Sequence, residues 1–184
     1  MNDNRYEIRL SGSGGQGLIL AGIILAEAAS IYENKEAVQT QSYGPESRGG
    51  ASKSEVVISS SEIDYPKVTS PDLLLAMTQE ACDKYIGDIK DGGIVILDSF
   101  FVEKLPELPR VVALPLTPIA KDTTGKTIVA NIVALGAITA LSGVVSKDAI
   151  EKAVLARVPK GTEEINLKAL HAGFEAVEKV AAQS

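Results

Sequence analysis

Two stretches of the chain, Asp72–Met77 (DLLLAM) and Ile94–Asp98 (IVILD), are almost uninterrupted apolar runs too short for helices. A strand that is apolar at nearly every position has both faces buried, so its sheet needs helices on both sides. The rest of the chain supplies matching pieces. Tyr6–Ser11 reads as a short strand ending in a glycine turn. Gly17–Glu33 reads as a helix with Ile19, Leu20, Ile23, Ile24 and Ala28 on a broad apolar face. Ala37–Ser42 is a second, half-polar strand, Tyr43–Ala51 a loop with three glycines and a proline, and Ser52–Ser60 a third strand. A helix over Gln79–Ile89 and a strand at Arg110–Leu114 flank Ile94–Asp98. Three helices close the chain, at Ala130–Leu141, Lys147–Arg157 and Glu163–Val180, the last with a stripe of Leu167, Leu170, Phe174, Val177 and Ala181. Alternating strands and helices predict an α/β fold: three-layer α/β/α, with a mostly parallel sheet. The short gap between the second and third strands allows one antiparallel strand. No linker or shift in composition divides the chain, so one domain over residues 1–184 is expected.

Composition removes several functions. Among 184 residues, 18 Lys and Arg face 24 Asp and Glu, a formal net charge of -6. No basic run exists to neutralise phosphates, which argues against a nucleic-acid partner. Cys82 is the only cysteine, so an intrachain disulfide is excluded and a four-thiolate iron–sulfur cluster cannot be held by this chain alone. With His171 the only histidine, no zinc site of the usual Cys/His kind can form, and no metal site is expected. Asp83 beside Cys82 disfavours a thiolate and points to a structural thiol. The polar start of the chain, Met1–Glu7, is no secretory signal. The least polar stretch, Ile128–Val145, is interrupted by Asn131, Gly136, Thr139, Ser142 and Gly143. It reads as a buried helix of a cytoplasmic protein with no membrane span.

Three motifs could carry chemistry. Gly12-Ser13-Gly14-Gly15-Gln16-Gly17 joins the first strand to the first helix and satisfies G-x-G-x-x-G. Glycines there allow a tight turn and let backbone N–H groups meet a phosphate at the helix's positive end. A dinucleotide site would also need an acid at the end of the second strand, where Thr40-Gln41-Ser42-Tyr43 stands instead. The second motif is Ser42–Gly50, in which Gly44, Pro45, Gly49 and Gly50 fix the backbone around Tyr43, Glu46 and Arg48. Arg48 can fork onto a carboxylate or phosphate, with Glu46 orienting it, or the two can be a solvated pair on a turn. The third, Ala120–Thr127, imitates a phosphate loop. However, it has one glycine and follows the aspartate-ended strand that should come after it, so a helical turn ended by Gly125 is the plainer reading. Asn131, polar at the start of an apolar helix, either caps a backbone group or faces a ligand. No serine-hydrolase elbow occurs, and no catalytic residue is assigned.

Three blocks, Gly12–Gly17 with its helix (GSGGQGLILAGIILAEAA), Ser42–Gly50 (SYGPESRGG) and Ala130–Gly143 (ANIVALGAITALSG), resemble the gamma subunit of 2-oxoacid:ferredoxin oxidoreductases. The second block is closer to 2-oxoglutarate or branched-chain members than to pyruvate members. The resemblance implies an enzyme complex that oxidatively decarboxylates a 2-oxoacid, passes the acyl group to coenzyme A and reduces ferredoxin. It implies alpha, beta and delta partner subunits that hold thiamine diphosphate, magnesium and [4Fe–4S] clusters, with no cofactor bound by this chain alone. Gly12, Gly14, Gly15, Gln16, Gly17, Tyr43, Gly44, Pro45, Glu46, Arg48, Gly49, Gly50 and Asn131 would then wall the coenzyme A channel or meet a partner. Lys126 receives no role from the resemblance, and isolated chains could pair as a homodimer. Two rivals stand beside this reading: a stand-alone NAD(P)-binding dehydrogenase and a purely structural packing subunit.

Overall fold

The computed structural model describes residues 4–42 and 51–184. Its elements are β1 (Arg5–Ser13), α1 (Leu18–Glu33), β2 (Glu36–Gln41), β3 (Ala51–Ser59), β4 (Leu73–Ala76), α2 (Gln79–Tyr85), β5 (Ile94–Asp98), β6 (Val111–Leu114), α3 (Leu116–Thr124), α4 (Ala130–Ser142), α5 (Lys147–Arg157) and α6 (Glu163–Ala182). The six strands form one sheet in the order β2-β3-β1-β4-β5-β6. β1, β4, β5 and β6 pair in parallel, and β3 runs against both neighbours. The mostly parallel sheet with one antiparallel strand is as the sequence predicts.

Both faces of the central strands are buried. Leu73, Leu75, Ile94 and Ile96 join the large core under α1, α4, α5 and α6. Their alternates Leu74, Ala76, Val95 and Leu97 join a smaller core with Ala81, Cys82, Tyr85 and Val102. The helical layers are unequal, because among the described residues that second face is covered chiefly by α2. Charge fills part of that face. Arg9 on β1, 3% exposed, donates to Glu55 on β3 at 3.0 Å and to Asp88 at 2.7 Å, and lies over the Tyr85 ring. Pairing to two carboxylates and a ring is what makes a buried guanidinium tolerable.

Two sequence readings are corrected. Leu116–Thr124 is a nine-residue helix, α3, ended by Gly125 and longer than the short helical turn expected there. Leu116, Ile119 and Ala120 sit at i, i+3 and i+4 of it, and Leu116 and Ala120 are buried. On α6 the buried face is Asn166, Ala169, Leu170, Gly173, Phe174 and Val177, whereas Leu167 is half-buried and Ala181 exposed. The small residues of α6 face α4, and a stripe traced through large residues alone misses them. α4 itself is buried at ten consecutive positions, Ala130–Thr139, as its sequence demands.

Candidate functional site

The C-terminal ends of the parallel strands define one edge of the sheet, and open α/β sheets bind ligands at such an edge. β1 reaches it at Ser13 and turns through Gly14–Gly17 into α1. Gln16 holds the turn: its Oε1 accepts the Ser13 N–H at 2.8 Å. Gly12 makes room for this, since a Cβ there would stand 2.2 Å from Gln16 Oε1 and 3.0 Å from Met77 Cβ. Gly17, at the start of α1, has φ 72, a left-handed conformation that favours glycine. Its carbonyl accepts the Asn131 Nδ2–H at 3.0 Å, and a Cβ on it would fall 2.4 Å from that nitrogen. Asn131 therefore caps a backbone group, and this ties the start of α4 to the start of α1.

The helix starts of the molecule differ from one another. Thr78 and Ser146 cap α2 and α5 through their side chains, and α6 opens on Glu163 and Glu164. α1 and α4 have neither a side-chain cap nor an acid in the first turn. α3 also lacks both among its own residues, but Asp98 at the end of β5 accepts its Thr117 N–H at 3.2 Å and Thr117 Oγ1–H at 2.6 Å. The positive ends of α1 and α4 are left without a carboxylate of their own, an arrangement able to receive an anion.

Three clefts meet at Gly15. One of about 460 Å³ is lined by Gly14, Gly17, Leu18, Ile19, Ser42 and Lys53 with Gly15 itself. A second, of about 290 Å³, runs past Gln16, Met77, Phe101, Thr117 and Ile128. A third, of about 350 Å³, lies toward Asn131 and the α5–α6 connection. Exposed apolar side chains rim them, with Ile128 74% and Ile19 40% exposed. Phe101 also stands out and packs edge-on against Phe100.

Of the residues singled out in the sequence, Gly12, Gly14, Gly15, Gln16, Gly17 and Asn131 come together at this edge. Tyr43, Gly44, Pro45, Glu46, Arg48, Gly49 and Gly50 lie outside the described residues. The described residues on either side are anchored nearby: Ala51 pairs with Ser13, and Ser42 and Ser52 line the same cleft as Gly14. Lys126, Ile128, Phe101 and Thr117 are site-lining residues that sequence reasoning missed. The exposed, apolar Ile128 ahead of a buried helix was the one signal available. Gly125 ends α3 with φ 79, its N–H donating to the Lys121 carbonyl, so Ala120–Thr127 is a helix terminus and no phosphate cradle. Burial, then Asp83, pushes the Cys82 thiol up, which fits a structural role. His171 is exposed and meets Glu151 at 2.6 Å. Among the described residues no three His, Cys, Asp or Glu side chains are grouped to hold a metal ion, and no helix is long and apolar enough to cross a membrane.

The topology also bears on a dinucleotide. In the nicotinamide-binding arrangement the strand beside β1 leaves the sheet at the ligand edge and presents its acid there. Here that neighbour is β3, which enters the sheet at this edge with Ala51 and Ser52.

A six-stranded α/β subunit whose strand-end edge offers glycine turns and bare helix starts is the class that fold and site define. The chain belongs to the pyruvate ferredoxin/flavodoxin oxidoreductase family, whose sequence profile matches residues 7–176. It is 58% identical over 179 residues to the 2-oxoglutarate synthase subunit KorC of Methanocaldococcus jannaschii, with 96% of each chain covered. The crystal structure of the gamma subunit of a keto/oxoacid ferredoxin oxidoreductase from Geobacter sulfurreducens is 60% identical, with a TM-score of 0.89 over 95% of this chain and 97% of that one. The 2-oxoglutarate:ferredoxin oxidoreductase of Magnetococcus marinus, solved with 2-oxoglutarate, coenzyme A and succinyl-CoA, shares the fold. Its TM-score is 0.83 at 24% identity, over 97% of this chain and 32% of that one.

Proposed function

We propose that this chain is the gamma subunit of a 2-oxoglutarate:ferredoxin oxidoreductase. The observation that carries the reading is the 58% identity to a 2-oxoglutarate synthase subunit over 96% of both chains. The complex would convert 2-oxoglutarate, coenzyme A and two oxidised ferredoxins to succinyl-CoA, carbon dioxide, one proton and two reduced ferredoxins. Thiamine diphosphate, magnesium and the [4Fe–4S] clusters would belong to alpha, beta and delta partners. Cys82, the only cysteine and a buried one, does not fit a cluster ligand set. The whole chain would act as one cytoplasmic domain.

In this reading Gly12, Gly14, Gly15, Gln16, Gly17 and Asn131 form part of the wall of the coenzyme A channel. Support comes from the uncapped start of α1, whose N–H groups and positive end suit the phosphates of coenzyme A. Placing Tyr43, Gly44, Pro45, Glu46, Arg48, Gly49 and Gly50 in the same wall rests on sequence alone. The exposed Ile19, Ile128, Phe100 and Phe101 beside it suit burial against a partner subunit. A stand-alone NAD(P) dehydrogenase is disfavoured by the direction of β3.

Reconstitution of the complex with and without this chain is the test, reading ferredoxin reduction. Activity that needs 2-oxoglutarate, coenzyme A and this chain together is the expected result. Full turnover by the isolated chain, or a preference for pyruvate or 2-oxoisovalerate, would overturn the reading.

A further inference from the structure

The two outer strands of the sheet are closed off to different degrees. β6 is four residues long and flanked by Pro109 and Pro115. β2 is six residues long, without proline, lysine, arginine or a bulge, and its one charge is Glu36 at the first position. The usual devices that keep an edge strand from pairing are missing from it. The ladder shows which groups line its open side. Ser42 donates its N–H to the Lys53 carbonyl, so Glu36, Val38 and Thr40 bond toward β3 while Ala37 and Gln39 turn their N–H and C=O outward. No described residue bonds to these outward groups.

α1 presents a matching stripe beside this edge. Gly22 faces the sheet, where a Cβ would stand 3.4 Å from Gln39 Cγ, and Glu27 reaches α5 by accepting from Arg157 Nε at 2.9 Å. The side of α1 turned away from α5, toward the open edge, carries Ile19, Ile23, Ala26 and Ser30 at intervals of four, three and four. Ile19 and Ser30 are exposed, and Ile23 and Ala26 are half-buried. The stripe is balanced about the midpoint of Ile24 and Leu25. Since α1 runs back along β2, rises of about 1.5 Å per helical residue and about 3.3 Å per strand residue put that midpoint over Val38.

We propose that β2 pairs antiparallel with β2 of a second copy of this chain, about a twofold axis through Val38, giving a continuous sheet with six strands from each copy. Ala37 and Gln39 exchange N–H···O bonds with Gln39 and Ala37 of the second copy. Val38 meets its own copy and Glu36 lies opposite Thr40, so no like charges face each other. α1 straddles β2 and β3. Strands about 4.8 Å apart therefore set the two copies of α1 about 10 Å apart, the spacing of packed helices. Ile23 meets Ala26 and Ile19 meets Ser30, large against small, which makes the second copy the subunit that covers Ile19. The two glycine turns lie at opposite ends of the joined sheet, so both stay open to other subunits. The assignment is independent of the activity proposed above.

The test is the mass of the full chain in solution, measured by analytical ultracentrifugation. Twice the 19.3 kDa of one chain is expected. Val38→Lys sets two ammonium groups against each other at the axis and raises the dimer Kd about a hundredfold, and Val38→Glu does the same with two carboxylates. Mixing these two variants restores association that neither shows alone, which misfolded chains could not do. Val38→Cys cross-links to its own copy under mild oxidation, the native Cys82 being buried. A monomeric unaltered chain, or a dimer that Val38→Lys leaves intact, would overturn the proposal. So would a Val38→Cys chain that dimerises without forming the cross-link.

Discussion

Glycine is used in two opposite ways in this molecule. At Gly15, on the strand-end edge, it keeps space open: a Cβ there would meet nothing within 4 Å, although its φ of 88 lies in the left-handed region. At the crossing of α4 and α6 it lets space be filled. A Cβ on Gly136 would stand 2.2 Å from the Leu170 carbonyl oxygen, and one on Gly173 2.1 Å from that of Val133. The first kind permits a left-handed backbone and leaves it accessible. The second removes side chains so that two helix backbones can touch. Counting glycines in a sequence does not separate these uses, and the atoms nearest each one do.

The sharpest way to break the comparison is Gly136→Ala. The methyl group must push two helices apart inside the larger core, at about 3 kcal/mol and a fall in Tm of roughly 6–12 °C by calorimetry. Reconstituted complex that survives should keep its KM for coenzyme A. Gly17→Ala comes next, because it combines left-handed strain with a collision at Asn131 Nδ2. A loss of about 2 kcal/mol is expected, with a raised KM for coenzyme A, and Asn131→Ala in the same chain should recover only the part due to the collision. Gly15→Ala should cost least in stability of the three, about 1 kcal/mol for the unfavourable φ. It should nevertheless raise the KM for coenzyme A several-fold, since its methyl projects into open cleft. A Gly15→Ala chain with unaltered kinetics would mean that the edge serves packing alone.

A further test comes from outside both regions and sets the baseline for stability comparisons at high pH. Burial first, and then the charge of Asp72, push the Tyr6 phenol up to about 12 from 10.0. The folded state therefore holds that proton more tightly than the unfolded chain. The resulting stabilisation is complete below pH 10 and is lost as pH rises toward 12. Tyr6→Phe should show a shallower fall of Tm than the unaltered chain across that window. Equal slopes would place the alkaline instability elsewhere.

Most of the scaffold was legible in the sequence because its signals are local. Leu73–Ala76 and Ile94–Asp98 are apolar nearly throughout, and burial on both faces follows from that. Ser146 before Lys147-Asp148 marks a helix start, and its hydroxyl accepts the Ala149 N–H as a cap should. α3 was obscured because Pro118 and three threonines are poor helix formers, although proline in the first turn of a helix is tolerated. The candidate site was legible only in outline. Gly12–Gly17 announces a turn, but the bond from Asn131 to Gly17 spans 114 positions and has no local signature. The same is true of Arg9, whose charge suggests a solvated strand face and whose partners Glu55 and Asp88 arrive from distant elements. Lys126 and Asn166 share a cleft only because α4 and α6 pack together.

The reversed direction of β3 has a consequence for how the return from β2 is held. A parallel neighbour of β1 would have to be reached by a crossover helix, and any change in that link would disturb a packed layer. An antiparallel neighbour is reached by doubling back, so Gln41 and Ala51 are moored by ladder bonds on two adjacent strands. Both ends of that return, Gln41 on β2 and Ala51 on β3, are thus fixed by the sheet itself and not by a helix.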